Sequence, residues 1–73
     1  MHCYQTYAAA TVVANTFELV PEIGRKLPHA VIVDWMEQRG IEPAVVLYAA
    51  PEEVKARLLF EIGQGRPQVP HAA

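Results

Sequence analysis

The sequence predicts a small α/β domain with the element order β-α-β-α. Three observations lead there. Two runs are each opened by proline and closed by glycine, Pro28 to Gly40 and Pro51 to Gly63, the expected asymmetry of helix ends. Between them Val45-Val46-Leu47-Tyr48 forms a short β-branched and aromatic stretch, whose length and composition favour a buried strand. Finally, 52% of the 73 residues are hydrophobic and only 19% charged, the reverse of a disordered chain. An all-α alternative of three to four short helices stands beside this reading.

Each element has its own justification. The N-terminal third is open: Thr11–Ala14 and Thr16–Val20 read as short β-like runs, with Phe17 and Leu19 opposed to Glu18. Residues 6–20 read equally as one helix, with Tyr7, Ala10, Ala14 and Phe17 at helical spacing. A helix at 28–39 places Val31, Ile32, Trp35 and Met36 along one side and Asp34, Glu37, Gln38 and Arg39 along the other. A strand over 44–49 follows, because Pro43 and Pro51 leave little room for a helix. It needs partner strands for its backbone groups, and those can come only from the first twenty residues. A second helix at 51–62 buries Val54, Leu58, Leu59 and Ile62, the usual stripe spacing. Its first turn carries Glu52 and Glu53, where the helix dipole favours anions. Glu53, Arg57 and Glu61 follow one another four apart. Residues 64–73, rich in glycine and proline, read as an extended or flexible tail.

The length allows a single domain, 1–73, which buries only about 60% of the surface of its unfolded chain. With so much apolar content, the expectation is that a partner or a second copy covers part of the surface. Six Lys and Arg against eight Asp and Glu give a net charge of −2. Only Arg25 and Lys26 are adjacent, which argues against a generic nucleic-acid binder. Cys3 is the one cysteine, so an internal disulfide framework and a four-cysteine or Cys2His2 zinc site are excluded. His2, His29 and His71 are too scattered to suggest a metal site with Cys3, so no metal and no cofactor is expected. The chain has no serine, which excludes a Ser-His-Asp triad, and no phosphate-loop sequence. Residues 1–17 lack Asp, Glu, Lys and Arg but are too polar for a membrane span. The first basic residue is Arg25, too late for a secretory signal. A cytoplasmic protein without membrane attachment is the expectation.

Residues 30–70 resemble the middle of glutaredoxins and the related arsenate-reductase-like proteins of the thioredoxin fold. The likeness is carried by Trp35-Met36-Glu37-Gln38-Arg39-Gly40-Ile41-Glu42-Pro43, by the strand-like 45–48, by Pro51-Glu52-Glu53-Val54, and by Gly65-Arg66-Pro67-Gln68-Val69-Pro70. It implies a partial thioredoxin fold, with Pro70 as a cis-proline bordering a site. Where that family carries Cys-x-x-Cys, this chain has Lys26, Leu27, Pro28 and His29. Without a thiolate there, thiol–disulfide exchange at that position is impossible. The resemblance therefore implies a truncated, non-redox relative with an open sheet edge. A second resemblance, through Ala30-Val31, Trp35, Arg39-Gly40-Ile41, Pro43-Ala44 and Val46, is to small phage-type helix-turn-helix repressors. It implies that 43–50 is helical, but it puts Asp34 and Glu37 toward phosphate.

The expected function is a non-enzymatic, protein-binding regulator or inhibitor that acts on a larger protein, as a homodimer. Small acidic chains without catalytic motifs are associated with phages and mobile elements, where they modulate host factors or defence systems. Tyr4, Tyr7, Phe17 and Trp35 are the expected partner-binding residues, since aromatic anchors dominate interfaces. The alternatives are a degenerate thioredoxin-fold redox protein using Cys3, or a helix-turn-helix DNA-binding regulator.

Overall fold

The computed structural model describes residues 4–17 and 27–68. Over these residues the chain is four helices: α1 Tyr4–Thr16, α2 His29–Gln38, α3 Pro43–Tyr48 and α4 Pro51–Gln64. No strand occurs among them. The β-α-β-α expectation is overturned in favour of the all-α alternative, and the likeness to a partial thioredoxin fold falls with it. Cys3, His2, His71, Arg25, Lys26, the 18–20 part of the proposed second strand, and Pro70 with its expected cis bond all lie outside the described residues.

α1 forms because residues 4–16 contain no proline or glycine and centre on Ala8-Ala9-Ala10, the best helix former. Two of its three threonines bond back into the helix rather than competing with it. Thr11 and Thr16 each donate the hydroxyl to the carbonyl four residues back, of Tyr7 and Val12, at 3.1 and 3.0 Å. The helix is central, packing against α2 and α3 and more lightly against α4. Ala9 and Ala10 are wholly buried in it, and their small side chains let the neighbouring backbones approach.

α2 starts and stops where its proline and glycine predict. Pro28 is the N-cap. At the far end Gly40 takes φ +66, a left-handed conformation that costs glycine nothing. Ile41 N–H then donates to the Met36 carbonyl at 2.9 Å and Gly40 N–H to that of Glu37 at 3.2 Å, which together make a Schellman cap. Ile41 and Met36 are both buried beneath it. A Cβ at Gly40 would meet nothing within 4 Å, so Gly40→Ala isolates the backbone effect. We expect it to destabilise the fold by about 1–2 kcal/mol, read as a lower urea midpoint.

The expected strand over 44–49 is the helix α3. Pro43 sits in its first turn, where a missing N–H costs nothing, and Glu42 before it is extended at φ −82 and ψ 133. The helical penalty of each valine is well under about 1 kcal/mol. A helix satisfies its own backbone, whereas a strand at this place finds no described partner strand. Ala49 and Ala50 then turn the chain into α4, opened by Pro51. This helix runs two residues beyond its expected end: Gly63 lies inside it and Gly65 is the C-cap.

The core runs through all four helices. Val13 from α1, Ile32, Val33 and Met36 from α2, and Leu58 from α4 are its largest fully buried side chains. Val46 is the buried residue of α3. The stripe expected for α2 is broader than its sequence reading: Val33 is buried, while Val31 is only partly covered. On α4 the expected stripe is narrower. Val54 and Leu58 are buried and Ile62 is partly covered, but Leu59 is 52% exposed.

Candidate functional site

The four expected partner-binding residues divide into two pairs. Phe17 and Trp35 belong to the core, at 4% and 5% exposure. Their rings meet edge to face at 5.2 Å, a favoured aromatic geometry. The indole Nε1–H of Trp35 donates to the Gly65 carbonyl at 2.9 Å, which ties α2 to the chain leaving α4. Two guanidinium groups close the assembly, Arg39 over Trp35 at 5.8 Å and Arg66 over Phe17 at 5.9 Å. Glu61 adds ion pairs to Arg39 at 3.7 Å and to Arg57 at 3.6 Å. In this chain Trp35 and Phe17 hold the helices to one another.

Tyr4 and Tyr7 are exposed, Tyr4 at 86%. α1 buries Ala9, Ala10, Val13 and Ala14 and turns its other side outward. Tyr4, Gln5, Tyr7, Thr11, Val12 and Asn15 are all exposed there. None of them carries a charge. Solvated helix faces ordinarily carry Lys, Glu or Arg, so a face of this composition is unusual for one meant to stay in water. At its N-terminal end Tyr7 stacks tilted on His29 at 5.9 Å, and Gln5 donates to the Tyr48 hydroxyl at 2.9 Å. That bond brings the exposed ring of Tyr48 to the same side.

On its other edge the face continues into a groove of about 460 Å³ between α1, α3 and α4. Val12, Val46, Leu47, Val54, Leu58 and Leu59 supply most of its wall, and Lys55 is the charged residue in it. The sequence reading missed this groove. Leu59, expected in the core, is 52% exposed and forms part of its wall. The nearest sequence signal was the excess of apolar residues over what one small core can hide.

The chemistry available elsewhere is limited. The Thr11 hydroxyl lies 2.9 Å from His29 Nε2, the geometry of a nucleophile and its base. The Tyr7 carbonyl, 3.1 Å away, is a second acceptor for the same hydroxyl. The Tyr7 carbonyl and His29 Nε2 therefore compete for the single hydroxyl hydrogen. A shallower hollow of about 370 Å³ beside Trp35 mixes Asp34, Gln38, Arg39, Arg66 and Gln68. Among the described residues no group of three or more His, Cys, Asp or Glu could hold a metal ion. No described helix is long and apolar enough to cross a membrane.

The helix-turn-helix likeness anticipated helix in 43–50, and 43–48 is helical. The outward residues of α2 nevertheless include Asp34 and Glu37, which repel phosphate. Compared with known families, characterised proteins and solved structures, the chain is significantly similar to none of them.

Proposed function

We propose that this chain is a non-enzymatic regulator that binds a larger cytoplasmic protein through the outward face of α1 and the groove beside it. The observation that carries this reading is the charge-free exposed surface of α1, from Tyr4 and Tyr7 through Thr11 to Val12 and Asn15. Interface cores are depleted in charge and enriched in tyrosine, because desolvating a lysine or glutamate costs far more than desolvating a phenol. Next to it, the groove has the form that accepts an amphipathic helix. Its occupant is a helical segment of the target, apolar on one side, with an acidic residue opposite Lys55. Binding of this kind occupies a surface and excludes competitors, which is how a protein of this size can inhibit or redirect a larger one.

The test uses a photo-crosslinking side chain at Tyr4, with the same group at Gln38 on α2 as the control. In host lysate the Tyr4 position is expected to give one discrete adduct and the Gln38 position none. A lysine placed at Val12, which is 37% exposed, is expected to weaken that adduct at least about tenfold, equivalent to roughly 1.4 kcal/mol. Circular dichroism verifies that the helices are intact. An adduct that survives Val12→Lys, or that forms equally from Gln38, rules the face out, and so does the absence of any adduct.

A further inference from the structure

The hollow beside Trp35 stands apart from the surface assigned above, and its two walls carry opposite charge. It holds about 370 Å³ between α2 and the segment that leaves α4, within the range of small-molecule sites. On α2, Asp34 and Gln38 are four apart and both exposed, so they are neighbours along its rim. Arg66, Pro67 and Gln68 form the other wall, and Val31, Trp35 and Pro67 supply apolar surface. That second wall is held in place. The Gly65 carbonyl accepts from the Trp35 indole at 2.9 Å, the Arg66 guanidinium lies over the Phe17 ring at 5.9 Å, and Pro67 has a fixed φ.

Of the three charges in the hollow, one is engaged and two are open. Arg39 is taken up by Glu61 at 3.7 Å and by the Trp35 ring at 5.8 Å. Asp34 and Arg66 line the same space, yet neither has an ion-pair partner among the described residues, and they do not pair with each other. We propose that this hollow binds a free α-amino acid with an apolar side chain, its ammonium on Asp34 and its carboxylate on Arg66. Charge complementarity selects that occupant. A simple anion would meet Asp34, a simple cation would meet Arg66, and a neutral molecule would leave both unanswered. An α-amino acid carries both charges on neighbouring carbons, so one small molecule satisfies both walls. Its carboxylate suits the guanidinium fork, and the amides of Gln38 and Gln68 can donate or accept at either end. Its side chain lies against Val31, Trp35 and Pro67. A residue inside a protein chain has neither free end, which separates this ligand from the helical partner of the α1 groove. No residue is shared between the two linings.

The experiment is a titration of the full chain with L-leucine, followed by nuclear magnetic resonance at the indole N–H of Trp35, the chain's single tryptophan. L-leucine is expected to shift that resonance saturably. N-acetyl-L-leucine, which lacks the ammonium, and L-leucinamide, which lacks the carboxylate, should each bind about tenfold more weakly. Asp34→Asn and Arg66→Gln should each weaken L-leucine by about the same factor, with unchanged helical circular dichroism. The losses should also match in pairs. Asp34→Asn should not weaken N-acetyl-L-leucine further, and Arg66→Gln should not weaken L-leucinamide further. A titration with no saturable shift at the indole overturns the proposal. So do three ligands that bind alike, or an Asp34→Asn protein that binds L-leucine as well as the wild type does. Asp34→Asn should still give the Tyr4 adduct, so failure of this site and failure of the α1 face are distinguishable.

Discussion

Trp35→Ala is expected to be the most damaging single substitution in the chain, lowering stability by about 3–5 kcal/mol. A domain of this size holds roughly 0.05–0.15 kcal/mol per residue, so the loss takes a large share of the total. The effect combines three losses. The indole is 5% exposed and leaves a large cavity between α1 and α2. Phe17 loses its edge-to-face partner at 5.2 Å. The Gly65 carbonyl loses its donor, and the segment after α4 is freed. Trp35→Phe separates these effects, since it keeps most of the packing and removes the N–H. It should cost only about 1 kcal/mol. Urea unfolding followed by circular dichroism measures both. A Trp35→Ala protein with a near-normal midpoint would show that the indole does not hold α2 to its neighbours.

Leu58→Ala is expected to act more locally. Leu58 is the one α4 side chain among the largest fully buried ones, at 1% exposure. Truncation there should cost about 2–3 kcal/mol, the lower part of the range for buried leucine. The lower part applies because Leu58 also lines the groove, so water can enter the space it vacates. α4 packs more lightly on α1 than α2 and α3 do. Its amides should therefore lose hydrogen-exchange protection before those of α1 and α2, as expected for a sub-global opening. If all four helices lose protection together, α4 is not a separable unit.

The residues that were legible in sequence are those that act through their own backbone. Pro28, Gly40 and Pro51 mark the ends of α2 and the start of α4 because each imposes or permits a particular φ wherever it stands. Gly63 misled for the same reason in reverse. Glycine is required only where φ is positive, as at Gly40, and a helix can run through it at a modest cost. Val45–Tyr48 was the principal misreading. Its composition suits a strand, but β propensity expresses fit to a neighbouring strand more than a preference of the backbone. With α1 helical, no such neighbour exists among the described residues.

The candidate site was half legible. Tyr4 and Tyr7 stood out because the first seventeen residues lack charged side chains. Their separation from Phe17 and Trp35 could not be seen, since all four are aromatic and only the packing of α1 on α2 sends one pair inward. Leu59 shows the same limit from the other side. It follows Leu58 in sequence, yet 100° of helical rotation leaves it 52% exposed, with no described helix covering it.

Composition and punctuation by themselves determined that this chain folds, where two of its helices begin and how the first of those ends, and that one stretch of it is apolar without charge. Those are properties of single residues and their immediate neighbours. Tertiary structure alone decided that 43–48 is helical, that Trp35 and Phe17 are internal, and that Leu59 and Phe60 remain outside. The physical reason is common to all three. Hydrogen-bond partners for a strand, and cover for an apolar side chain, are supplied by distant parts of the chain, and their presence is a fact of the assembled fold.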